Sequence, residues 1–166
     1  MKTRFFSLII IAVMLIPSLL LASCGGSTEY SADVPVSELC SAADALLPDS
    51  SDFATTSDSY IIGMMEIDPT EFADYAVKIR ASGANIDEYG IFKAADSSEV
   101  EAAVSVVNAY LAMRVDTWMP EYMPEEFPKM EEASVKVFGQ YVVYAILADD
   151  VKADVFNAIE EKLLEK

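Results

Sequence analysis

The chain contains no histidine. That absence excludes a Ser-His-Asp triad, a Cys-His nucleophile pair and any histidine-ligated zinc. Cysteine is nearly as scarce, with 2 in 166 residues, too few for a thiolate metal site. Glycine is sparse as well, 6 in all, and none falls in a phosphate-cradling loop, which argues against a nucleotide enzyme. Basic residues are few: 11 Lys and Arg stand against 28 Asp and Glu, a formal net charge of −17. A surface of that sign repels phosphates, so no nucleic acid is expected as a partner. The acids do not follow the D-x-D-x-D-G order of a calcium loop. They are expected at helix caps and on exposed faces, and no metal or other cofactor is expected.

The apolar residues are concentrated at the start. Met1–Phe6 (MKTRFF) is a short basic opening, and Ser7–Leu20 (SLIIIAVMLIPSLL) has the length of a signal-peptide core rather than of a membrane-spanning helix, which needs about 20 apolar residues. Leu21, Ala22, Ser23 and Cys24 follow, and this LASC stretch resembles the lipobox of bacterial lipoproteins. The resemblance implies cleavage after Ser23, diacylation of the Cys24 thiol and a membrane partner held through that lipid. The expected location is the extracytoplasmic face of a cell membrane. With Lys2 and Arg4 removed, 9 basic and 28 acidic residues remain, a net charge of −19. The organisation read from the sequence is a lipoprotein signal peptide over residues 1–23, a flexible tether over 24–35 and one domain over 36–166.

Within the domain, apolar periodicity places the elements. Val36, Leu39, Cys40, Ala43, Leu46 and Leu47 share one face of a helix that ends at Pro48, so Cys40 is expected in the core. Asp49–Ser59 reads as a polar loop, and Tyr60–Ile67 as a short strand or buried turn. Asp68, Pro69 and Glu71 look like a helix start. Alternation from Tyr75 to Arg80 predicts a strand, SGAN a turn, and Asp87–Lys93 a return strand. Asp96 and Glu99 resemble a capping box. The helix after it runs to about Trp118, with Val100, Ala103, Val104, Val107, Leu111, Val115 and Trp118 on one face. After a proline-rich interruption, Ser134–Phe138 and Tyr141–Leu147 form a hairpin across Gly139 and Gln140. Tyr141–Leu147 is apolar on both faces, which predicts a central strand. Asp149 or Asp150 caps a last helix with Val151, Val155, Ile159 and Leu163 inward.

The fold class is therefore α+β: an antiparallel sheet of about four strands, built from two ββα units and packed against helices. The two units, AVKI…EYGIFKAAD and SVKV…YVVYAILAD, share a grammar that fits either a duplication or a common local pattern.

YAVKIRASGANIDEYGIFKA, a long helix, YMPEEFPKMEEASVKVFGQYVVYAIL and a final helix together resemble a family of lipobox-bearing proteins from Clostridia and their relatives, classified as domain of unknown function 4358. The resemblance extends from about Val36 to the C-terminus and centres on the Y-[LM]-P-E-x-[FY] segment, Tyr122–Phe127. It implies a membrane-attached lipoprotein and brings no catalytic residue with it.

Two constellations remain as candidates. Trp118, Tyr122, Met123 and Phe127, with Met113, Met119 and Met130 nearby, have the soft aromatic character of a surface for a protein or peptide partner, or of a loop packed on the sheet. Glu121, Glu125, Glu126, Glu131 and Glu132 form an acidic run that either attracts a basic partner or is solvated. The expected function is a non-enzymatic binding or accessory domain. A carboxylate-dependent envelope hydrolase and an assembly module pairing through a sheet edge are the alternatives.

Overall fold

A computed structural model describes residues 28–119 and 121–165. The order of elements is α1 (Val36–Asp44), β1 (Phe53–Thr55), α2 (Asp58–Met64), β2 (Phe72–Arg80), β3 (Glu88–Ala94), α3 (Val100–Asp116), α4 (Phe127–Glu131), β4 (Ser134–Phe138), β5 (Tyr141–Ile146) and α5 (Asp149–Leu164). The strands form one open sheet in the order β1-β2-β3-β5-β4, every neighbouring pair antiparallel. The α+β class is as expected, with five strands in place of about four.

The fifth strand is β1, which lies in the stretch read as a polar loop. Its three residues pair with Lys78–Arg80 at the sheet edge. Only Phe53 turns inward, while Ala54 and Thr55 are exposed. An edge strand with one buried side chain needs no alternating apolar pattern. Tyr60–Ile67 is a second correction: the segment belongs largely to helix α2, whose start is capped by Ser57 accepting from the Tyr60 amide. Asp68 accepts from Thr70 N–H at 2.9 Å, yet Pro69–Glu71 completes only a 3-10 turn. No capping box forms at α3, where Asp96 takes the Ser98 amide instead. Neither Asp149 nor Asp150 is the cap of α5; both sit in its first turn.

Period-two alternation distributes the strand side chains between two cores. One core lies between the sheet and the layer of α1 and α5, and contains Leu39, Cys40, Tyr89, Ile91, Tyr141, Val143, Val155 and Ile159. The other lies beneath α2, α3 and α4, and contains Ile61, Val77, Phe92, Val107, Tyr110, Leu111, Met130, Val142 and Tyr144. Strand β5 is buried along its whole length and has a neighbour on each side, the central position its composition predicts. Cys40 is buried on α1, and among the described residues it is the free cysteine. Burial pushes its thiol up to about 11.

The β4–β5 hairpin turns where expected. Phe138 opposes Tyr141, and Gly139 takes φ +60°, the left-handed conformation that tight hairpin turns require. The two ββα units, however, are not copies in space. Helix α3 packs on one face of the sheet and α5 on the other, while their strands are adjacent and antiparallel. Exchanging the strand positions, reversing the strand direction and exchanging the faces all at once is an inversion. A chiral chain cannot repeat itself that way, so the two segments are not a structural repeat.

Candidate functional site

The candidate features gather at the end of the sheet where β3 begins and α3 finishes. Glu88 opens β3 directly opposite Ile146 of β5 and is only 2% exposed. This corrects the expectation that the acids lie at caps and exposed faces. Its Oε1 accepts from the hydroxyls of Tyr110 and Tyr144, each at 2.6 Å, and its Oε2 accepts from Arg114 Nη1 at 2.9 Å. Tyr110 and Arg114 are four residues apart on α3, so one helix face delivers both to the same carboxylate. Tyr144 reaches it by lying across Gly90. A Cβ at that position would stand 2.2 Å from a carbon of the Tyr144 ring, so only glycine admits the ring.

These contacts fix the protonation states. Burial, and then the negative charge of Glu88, push the hydroxyls of Tyr110 and Tyr144 well above the usual tyrosine range. Burial acts against the Arg114 charge, but Glu88 and Tyr110 outweigh it and hold the guanidinium above its ordinary value. Each oxygen of the carboxylate thus already has a donor, an arrangement suited to locking α3 onto β3 rather than to exchanging protons. A shallow hollow of about 160 Å³ beside it is lined by Tyr60, Asn85 and Arg114, among others.

The predicted partner-binding residues lie on the segment that continues from α3. Trp118 is half-buried and sits between Phe127, at 5.6 Å between ring centres, and Tyr122, at 6.2 Å. Its indole nitrogen is buried and has no hydrogen-bond partner among the described residues. Tyr122 is 57% exposed and Met119 63% exposed. Met123 is half-buried and adopts φ +49°, in the left-handed region that non-glycine residues seldom enter. Met130, expected in the same group, is instead core. The structure therefore brings Trp118, Tyr122 and Phe127 into one aromatic cluster and leaves Tyr122 and Met119 facing outward.

Polar contacts fasten this cluster to the segment that leads into β3. Glu126 Oε2 accepts from the Ile86 amide at 3.2 Å, and Lys129 bridges Asp87 at 2.8 Å and Glu126 at 2.9 Å. Glu126 thus leaves the acidic run to become an anchor, while Glu121, Glu125, Glu131 and Glu132 stay exposed. Among the described residues, no group of three or more acids and cysteines is placed to hold a metal ion. Cys24 and Ser23, the expected lipidation and cleavage positions, lie outside the described residues. No described helix is long and apolar enough to cross a membrane.

A larger cleft, about 410 Å³, opens at the opposite end of β3. Phe72, Ala94 and Ala103 are in its wall, together with Glu71, Asp96 and Glu99. Hydrogen bonds from the Ser98 hydroxyl and amide hold Asp96 below the usual carboxylate range.

Sequence reasoning missed the Glu88 cluster because its members are 22, 26 and 56 residues from Glu88. Two local signals pointed toward it: a glycine within a strand at Gly90, and Tyr110 with Arg114 at helical spacing. Comparison with known proteins gives no match among curated proteins and none among solved structures. A family model does match, over residues 51–147, a span that holds the whole sheet together with α2, α3 and α4. The chain belongs to the family described as domain of unknown function (DUF4358).

Proposed function

We propose that this protein is a lipoprotein, held on the extracytoplasmic face of a membrane by acyl chains on Cys24, whose domain is a non-enzymatic binding or accessory module. The contact surface is the cluster of Trp118, Tyr122, Met123 and Phe127. The observation that carries this reading is the exposure of Met119 and Tyr122 on an aromatic base, flanked by the exposed acids Glu121 and Glu125. Large apolar side chains presented together mark interaction surfaces, and Trp and Tyr are the residue types that most often dominate their energetics. The surrounding charge selects the occupant: a polypeptide segment with Lys or Arg beside apolar residues.

A photo-crosslinker at position 119 in the full-length chain, followed by sequencing of the crosslinked peptide, tests this. A peptide with basic and apolar residues is expected, with capture falling at least severalfold in Tyr122→Ala and weakening with salt. Undiminished capture in that variant would count against the surface.

A carboxylate-dependent hydrolase is the second reading, motivated by the cleft near Glu71, Asp96 and Glu99. Its Asp96 is held ionised by Ser98, which leaves it unsuited to act as a general acid near neutrality. Pairing through a sheet edge draws support from β4, an edge strand with Val137 exposed. Concentration-dependent dimers in size-exclusion chromatography are its expected signature.

A further inference from the structure

The stretch leading from Cys24 into the domain is short, and its second half is fastened to one end of the sheet. Tyr30 sets its ring edge-on against Phe138, 5.6 Å between centres, and its hydroxyl donates to Glu160 Oε1 at 2.7 Å. The tyrosine also lies over the hairpin turn, where a Cβ on Gly139 would come 3.2 Å from the Tyr30 Cβ. Ser31 N–H donates to the Leu163 carbonyl at 2.8 Å, near the end of α5. The Tyr141 hydroxyl bonds the carbonyls of Val34 at 2.6 Å and Ala32 at 3.1 Å, and Val36 N–H donates to Asp74 Oδ2 at 2.9 Å. All these contacts are to the end of the sheet where Asp74, Lys93 and Tyr141 line up, or to the helix end beside it.

The aromatic cluster is at the other end. Its anchors reach Ile86 and Asp87, next to Glu88, and Glu88 opposes Ile146, whereas Lys93 opposes Tyr141. Along β5 the two ends are five residues apart, roughly 17 Å at the rise of an extended strand. Cys24 and Tyr30 are six residues apart in sequence, a reach of at most about 20 Å.

We infer that the lipid-anchored domain stands end-on, with the β4–β5 hairpin and the last turn of α5 toward the membrane and the Trp118–Phe127 surface directed away from it. The occupant of that surface is then a protein segment in the aqueous space and not the bilayer. The inference rests on the lipid anchor proposed above. The strap of residues 30–34 supplies the orientation.

Energy transfer from the labelled protein to the membrane tests the orientation. Full-length lipidated chain is reconstituted in phosphatidylcholine–phosphatidylglycerol vesicles carrying a headgroup acceptor, with a donor on a cysteine introduced as Gln140→Cys or Tyr122→Cys. Cys40 does not compete for label, because it is 6% exposed and its thiol is pushed up to about 11. Transfer severalfold stronger from position 140 than from 122 is expected; equal or reversed transfer overturns the orientation. In a Tyr30→Ala, Tyr141→Phe double variant with unchanged circular dichroism, the difference should collapse. A difference that persists would overturn the role of the strap. Chain that fails to sediment with vesicles would remove the anchor and this inference together. Retained orientation with undiminished crosslinking in Tyr122→Ala would refute the contact surface alone.

Discussion

At Glu88 a charge sits in the core at the start of a strand, and its worth to the fold depends on its partners staying in place. A buried ion pair contributes little net stability, because desolvation offsets the attraction, but removing one partner strands the other. Glu88→Ala leaves Arg114 facing two tyrosine hydroxyls, and should lower the unfolding free energy by about 3 kcal/mol, the low end for such pairs, since Arg114 keeps some contact with water. Urea denaturation measures this, and a loss below about 1 kcal/mol would show that the cluster relaxes freely. The same side chains set an alkaline limit. Tyr89, Tyr110 and Tyr144 are raised above the ordinary 10.0 and Cys40 above 9.0, so on unfolding in alkali they release protons that the folded state retains. The contribution of these four groups is therefore full below about pH 9 and falls as pH rises beyond it. Tyr144→Phe should shallow that fall when melting temperature is followed against pH; an unchanged slope would mean that Tyr144 ionises alike in both states.

Among the elements, those with a face of their own were legible and those defined by a neighbour were not. Strand β5 and helix α3 announce themselves through repeated apolar residues that end up in the core. Strand β1 does not, because its single inward residue, Phe53, carries no pattern and its pairing with β2 is decided by hydrogen bonds. Helix α2 was obscured by Ile61, Ile62 and Gly63, residues that local propensity assigns elsewhere. The aromatic cluster was legible as a composition. Its attachment was not, because Lys129 reaches Asp87 across 42 residues. That attachment can be loosened separately from the fold. Lys129→Ala breaks ion pairs with carboxylates that are only 14% and 13% exposed, but Asp87 keeps Arg80 and Glu126 keeps the Ile86 amide, so the melting temperature should fall by a few degrees with the transition still cooperative. Emission from Trp118, the chain's single tryptophan, should nevertheless shift to the red as the segment gains water. A steady emission maximum would indicate that aromatic packing alone holds it.

For the molecule as a whole, the family match and the folded unit do not coincide. Residues 51–147 hold the sheet and one helical layer, while α1 and α5, which cover the opposite face, lie outside that span. Leu39, Val155 and Ile159, together with Ile91 and Val143 from the sheet, are each fully buried at that layer. Each such side chain is worth about 1.5–3 kcal/mol, so uncovering the face costs as much as the net stability of an ordinary domain, about 5–15 kcal/mol. A fragment of residues 51–147 should fail to fold as a soluble monomer, whereas residues 28–166 should melt cooperatively. A well-dispersed amide NMR spectrum from the shorter fragment would refute this.

The same layer governs the order in which the chain can become native. Helix α1 forms near the beginning and packs against α5, whose residues come more than a hundred positions later. As the chain emerges from N-terminus to C-terminus, every strand is available before the sheet's second face can be closed. Until then that apolar face stays open to solvent and to other unfinished chains. The last sixteen-residue helix thus acts as the latch of the fold, and truncation within it should send the protein to aggregation or proteolysis before any contact surface matters.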